Sequence, residues 1–238
     1  SDTEATYLAL RDDVALIDRT RAGRLEYSGT DALDLISRLS TNELLSLEIG
    51  HGAATVLTTP KGRIVDVLIV SRLVNSLLVL TSWEGRQKVL EHIDFFTFGE
   101  DVAASDITCH TGSYAIAGPN APDLMLSMAG LKLERYANAA VSFGSIDASV
   151  VRTDFLGLPA YDLIVHANSM PSLREEHLSP ANASDLVVAG PDAVETVRVE
   201  RGVPAYGAEL SESYNPLEAN LMSLVSFTKG CYVGQEVI

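Results

Sequence analysis

Eight consecutive residues, Lys229-Gly230-Cys231-Tyr232-Val233-Gly234-Gln235-Glu236, set one of the chain's two cysteines among glycines, with a lysine two positions before it. Glycine leaves the backbone free to turn tightly and lets a ligand or partner approach the main chain. A nearby ammonium favours the thiolate, the form of cysteine that attacks electrophiles and binds metals. The pattern therefore makes Cys231 a candidate reactive thiol and Lys229 the cation that biases it.

Two carboxylates stand out beside it. Asp66 lies in Gly62-Arg63-Ile64-Val65-Asp66-Val67-Leu68, a segment so apolar that a charge there needs a reason. Glu200, in Arg198-Val199-Glu200-Arg201-Gly202, sits at the end of a helical stretch that opens after Gly190-Pro191 with Asp192 as the expected N-cap and stops at Gly202.

The elements that would position these residues follow from periodicity. Residues 30–40 carry a helical apolar face, residues 64–83 form a hairpin turning at Asn75-Ser76, and 86–96 form an amphipathic helix. Residues 148–166 repeat the hairpin, turning around Gly157-Leu158-Pro159. Residues 138–143 and 179–184 are small and polar, as connections are. The resulting fold class is α+β, with mostly antiparallel sheets and packed helices.

Composition narrows the function. With 238 residues and 47% hydrophobic content the chain can bury one large or two small cores. A formal charge of −15, with 17 basic against 32 acidic side chains, argues against nucleic acid as a partner. No apolar stretch approaches the roughly 20 residues that cross a bilayer, which argues against a membrane, and the start Ser1-Asp2-Thr3-Glu4 lacks signal-peptide features, so a cytoplasmic protein is expected. The five histidines are scattered without metal-ligand spacing and no CxxC pair exists, so no metal site is expected; Cys109 and His110 are assigned structural roles.

The octapeptide resembles the signature of the YgfZ group of folate-binding proteins, a branch of the superfamily that includes the aminomethyltransferase (T-protein) of the glycine cleavage system. The run Arg198 to Pro204, then Gly207 and Pro216-Leu217-Glu218-Ala219, is similar to the stretch that precedes the signature in that group. Leu16-Ile17-Asp18, Gly29-Thr30-Asp31-Ala32, Ser40-Thr41-Asn42, Thr59-Pro60-Lys61-Gly62-Arg63 and Ala117-Gly118-Pro119-Asn120-Ala121 extend the likeness over nearly the whole chain.

The resemblance implies a GcvT-type folate-binding fold of two interlocked subdomains, roughly 1–110 and 111–238, with tetrahydrofolate as cofactor. Family members usually continue into a C-terminal barrel, and the chain stops at Ile238, so the barrel is expected to be absent. Val199-Glu200-Arg201-Gly202 matches the T-protein's Leu-Glu-Ala-Gly, which assigns the pterin anchor to Glu200: one carboxylate can accept the two parallel donors of the pterin edge. Arg198, Arg201 and Lys229 are candidates for the folate carboxylates, and Tyr161, with Asp162, resembles a Gly-Tyr-Glu segment lining the family's central hole.

Two departures bear on chemistry. Where the transferases carry two consecutive aspartates this chain has Asp66 and Val67, and where they carry a catalytic arginine it has Lys229, a compact charge without the planar fork. The resemblance thus implies a tetrahydrofolate-binding protein supporting iron–sulfur cluster assembly or repair through Cys231, with iron–sulfur proteins as possible partners. The alternative is a tetrahydrofolate-dependent aminomethyltransferase; a binding module without chemistry is the third reading.

Overall fold

The computed structural model describes residues 2–179 and 186–238. Contacts group the chain into two compact units, residues 1–21 with 108–203 and residues 22–107 with 204–238. The chain crosses between the units at 21/22, 107/108 and 203/204. The first 21 residues and the last 35, however, each join the other half, so a single cut does not separate the units.

The first unit is built on a six-stranded sheet of β1 (Ala15–Asp18), β7 (Thr111–Ala117), β8 (Asn138–Phe143), β9 (Ile146–Arg152), β10 (Ala160–His166) and β11 (Val187–Val188), in the order β11-β1-β7-β10-β9-β8. Only the short β1–β11 pair is parallel. Strand alternation divides the side chains between two cores. Leu16, Ile116, Tyr161, Leu163 and Val165 pack with Met125 of α4 (Ala121–Ala129) and with Leu173, which follows the single turn α5 (Met170–Ser172). Ala15, Ile17, Ala115, Ala117 and Ala160 pack instead against α1 (Asp2–Asp12) and α6 (Pro191–Glu200), through Leu10, Ala193 and Val197.

The second unit has a fully antiparallel five-stranded sheet of β2 (Gly23–Ser28), β3 (Gly52–Thr58), β4 (Ile64–Arg72), β5 (Leu77–Thr81) and β6 (Ala103–Asp106), ordered β3-β4-β5-β2-β6. Leu25, Leu57, Leu68, Val70 and Val79 bury one face under α2 (Ala32–Leu39) and α3 (Arg86–Phe95). Val56 and Val67, which alternate to the other side, meet Leu210, Ala219, Leu221 and Leu224 of the C-terminal segment.

The α+β class and the antiparallel sheets stand as expected, as do both hairpins, α2 and α3. Two local expectations are corrected. Residues 138–143 are not a connection but the edge strand β8, whose ladder runs from Asn138↔Val151 to Phe143↔Ile146. Asp192 is not the N-cap of α6: Gly190 holds that position and Pro191 begins the helix, its missing N–H costing nothing in the first turn. Cys109 and His110 lie exposed in a turn before β7. Residues 180–185, most of the second expected connection, lie outside the described residues. Among the described residues no helix is long and apolar enough to cross a membrane.

Candidate functional site

In the second unit three of the sequence motifs converge. The C-terminal segment is sewn onto the end of α2 and the start of β3–β4: Ser226 N donates to Thr41 O, Thr41 Oγ1 to Leu224 O at 2.6 Å, Val233 N to Arg38 O, and Thr58 Oγ1 to Val233 O at 2.7 Å. Gly62 and Gly234 face each other in left-handed conformations, φ +65° and +88°. A Cβ at Gly234 would lie 2.5 Å from Thr59 O and 3.0 Å from Gly62 Cα. Glycine is required at both places by geometry and by space. The Thr59-Pro60-Lys61-Gly62-Arg63 turn and the Cys231 octapeptide are thus packing partners.

Lys229 is the centre of this seam. Its ammonium donates to Ser37 O (2.6 Å), Asn42 O (2.7 Å) and Ser40 O (2.8 Å), with Ser37 Oγ at 3.4 Å, at the C-terminal end of α2 and the residues just after it. Its Nζ also lies 5.3 Å from the centroid of the Tyr232 ring. An ammonium has three donors and here all three are committed. Burial lowers its pKa from 10.5 to about 8, so it stays charged at neutral pH. In this arrangement the partly buried ammonium latches the octapeptide to the end of α2 and the residues that follow it. Cys231 itself is exposed at the crest of the loop, beside Gly230, around which there is open space.

Asp66 is equally committed. It is 1% exposed. One oxygen accepts from Val67 N, and the other from Thr81 Oγ1 (2.5 Å), Ser82 Oγ (2.6 Å) and Ser82 N (3.0 Å). Burial raises its pKa, against the pull of these four hydrogen bonds. The carboxylate faces the α3 side of the sheet, tying β4 to the β5–α3 turn. The opposite side of the strand, where the apolar C-terminal cluster lies, receives Val67.

Gly85 closes the Asp66 site. A Cβ there would meet Ser82 Oγ and lie 2.7 Å from both Asp66 Oδ2 and Tyr206 Cε2. Its φ of −84° is open to any residue, and Gly→Ala in such a conformation normally stabilises a protein by about 0.4–1 kcal/mol. Here we expect the opposite sign, a loss of about 1–3 kcal/mol for Gly85→Ala from overpacking, measured by denaturant unfolding.

In the first unit, Glu200 ends α6 with an exposed side chain. Its two carboxylate oxygens accept from one donor, the Tyr7 hydroxyl of α1, at 3.0 Å each. Arg198, the expected partner of a folate carboxylate, donates to Glu195 through Nε (2.8 Å) and Nη2 (2.6 Å) and to Val203 O through Nη1 (2.6 Å). Tyr161 is 1% exposed inside the α4-side core.

Its neighbour Asp162 points the other way and is 1% exposed. It accepts from Thr153 Oγ1 (2.7 Å), Ser113 Oγ (3.1 Å) and Arg19 Nε (3.1 Å), and the Arg19 guanidinium stacks 3.7 Å from the centroid of the Phe155 ring. Glu200 belongs to the first unit; Asp66, Lys229 and Cys231 belong to the second. Sequence reasoning missed Tyr7, which lies 193 positions from Glu200 in no recognisable motif, and the Arg19 pairing, whose only signal was a lone aspartate in an apolar strand. Among the described residues no group of three or more His, Cys, Asp or Glu could hold a metal ion.

Comparison with known proteins adds the family. An aminomethyltransferase of Streptomyces avermitilis is 28% identical over 237 residues, covering 98% of this chain and 64% of that protein. A chloroplastic protein of Arabidopsis thaliana, provisionally named a transferase, is 29% identical over 234 residues, covering 97% of this chain and 53% of its own length. The chain therefore spans between about half and two thirds of these relatives. In structure it matches the glycine cleavage system aminomethyltransferase T from Bartonella henselae with a TM-score of 0.86 at 18% identity, over 100% of this chain and 65% of that one, a likeness of fold. The sequence profile of the GCVT N-terminal domain matches residues 2–229, and the chain belongs to that family.

Proposed function

We propose that this chain binds tetrahydrofolate and serves one-carbon transfer, a reading supported by relatives named aminomethyltransferase. The observation that carries the reading is Glu200, an exposed carboxylate at the motif position, whose two oxygens already share one donor. A carboxylate so disposed accepts the amino group and ring N–H of a reduced pterin side by side. Bound tetrahydrofolate would supply a nitrogen that accepts a one-carbon unit. The chain's own part is to hold and orient the pterin, because Val67 puts no carboxylate on the C-terminal face of β4 and Lys229 is spent on the carbonyls of residues 37, 40 and 42.

A second reading, support of iron–sulfur proteins by a YgfZ-like protein, is favoured by Cys231 alone: an exposed thiol on a loop held rigid from below. Cys231→Ser separates the two. On the transfer reading it leaves both tetrahydrofolate affinity and turnover of a lipoate-bound aminomethyl donor within about two-fold. Absence of turnover in the unaltered chain, with Cys231→Ser abolishing rescue of an iron–sulfur enzyme defect while folate still binds, would replace it with the second reading.

A further inference from the structure

We infer that Tyr7 is a built-in competitor for the ligand edge of Glu200, a positioning residue that holds the carboxylate ready and must yield when a two-donor ligand arrives. This deepens the folate-binding reading and rests on it. The hydroxyl is equidistant, 3.0 Å, from Oε1 and Oε2, and it makes acceptable hydrogen-bond angles to both. A donor meeting those conditions lies in front of the carboxylate, between its oxygens, and not above its plane. That is the position a paired amino group and ring N–H would take. Tyr7 and such a ligand therefore cannot both keep their full bonds.

The contact is set by helix packing. Leu10 and Val197, about one turn along from Tyr7 and Glu200 on α1 and α6, lie in the same buried cluster, so the two helices are locked side by side beneath the polar pair. The Tyr7 ring is half-buried, with the Arg11 guanidinium 5.4 Å from its centroid; the hydroxyl oxygen is fixed to the ring, so it clears the carboxylate only when the whole side chain turns about its Cα–Cβ bond. With Tyr7 in place the carboxylate is aimed and satisfied; once the Tyr7 side chain turns away, the same two oxygens face a ligand.

Anaerobic calorimetric titration of tetrahydrofolate into the chain, Tyr7→Phe, Glu200→Gln and the double variant tests this. Phenylalanine keeps the ring and its packing while removing the hydroxyl, and melting temperatures check that each variant is folded. We expect Tyr7→Phe to tighten binding about three- to ten-fold, as removal of one competing hydrogen bond to a charged group would, and the gain to vanish in the Glu200→Gln background. A role of Tyr7 in structure alone would not tighten binding. Unchanged or weaker binding by Tyr7→Phe, with Glu200→Gln impaired, overturns the competitor and leaves the folate reading standing; unchanged binding by Glu200→Gln overturns the reading beneath both.

Discussion

Lys229→Met should destabilise the second unit by about 2–4 kcal/mol, although the residue is one of the few lysines of an acidic chain and looks from sequence like a surface or catalytic charge. Methionine fills the space of the lysine stem but donates nothing. Ser40 O and Asn42 O, which accept from the ammonium at 2.8 and 2.7 Å, are then left without that donor at the end of α2. A buried acceptor stripped of its partner costs about 1–3 kcal/mol.

The loss should be local as well as global. Backbone amides of residues 226–234 should exchange hydrogen faster, because the seam that holds them loses its central tie. The pH dependence has a definite sign. The folded-state pKa, about 8, lies below the ordinary 10.5, so the cost of burying the charge is present below pH 8 and is relieved as pH rises from 8 to 10.5. The parent chain should gain stability over that window and the methionine variant should not, so the difference between them widens. A variant as stable as the parent, with an unaltered exchange pattern, would mean that the three carbonyl bonds contribute little.

How much of this was legible in the sequence depended on whether near or distant residues decided the outcome. Helix α2 and the 64–83 hairpin follow from apolar spacing, a local property, and the left-handed Gly202 ends α6 where its type predicts. Residues 138–143 read as a loop because Asn138, Ala139, Ala140 and Ser142 carry little β-propensity. They form a strand because the β9 backbone lies alongside to pair with, and an edge strand with partly exposed side chains needs no apolar run.

The site residues divide in the same way. That Asp66 and Asp162 are unusual is visible from their apolar surroundings. Which face they take is not, since strand alternation says that Tyr161 and Asp162 oppose each other without saying which one meets a core. The proximity of Lys229 to Cys231 suggested an electrostatic partner, yet the ammonium is captured by carbonyls some 190 positions earlier in the chain. Tyr7 had no signal at all, because a hydrogen bond between the two ends of a unit leaves no local pattern.

Glu200→Gln should weaken tetrahydrofolate binding by about 30- to 100-fold. Glutamine keeps the length and the helix end but replaces one acceptor oxygen with an NH2 that faces a ligand donor, and removes the charge that strengthens both bonds. Hydrogen bonds to charged groups contribute about 1.5–3 kcal/mol, and 1.4 kcal/mol is a factor of ten in affinity. The melting temperature should barely move, because the side chain is exposed and, among the described residues, hydrogen-bonds through its carboxylate to the Tyr7 hydroxyl.

The most direct measurement is the calorimetric titration of reduced, anaerobic tetrahydrofolate into the parent chain and Glu200→Gln side by side. A single site that loses at least tenfold in affinity while the fold is kept is the predicted result; equal affinity in the two proteins, or no binding to the parent chain, would contradict the assignment of Glu200 as the pterin anchor.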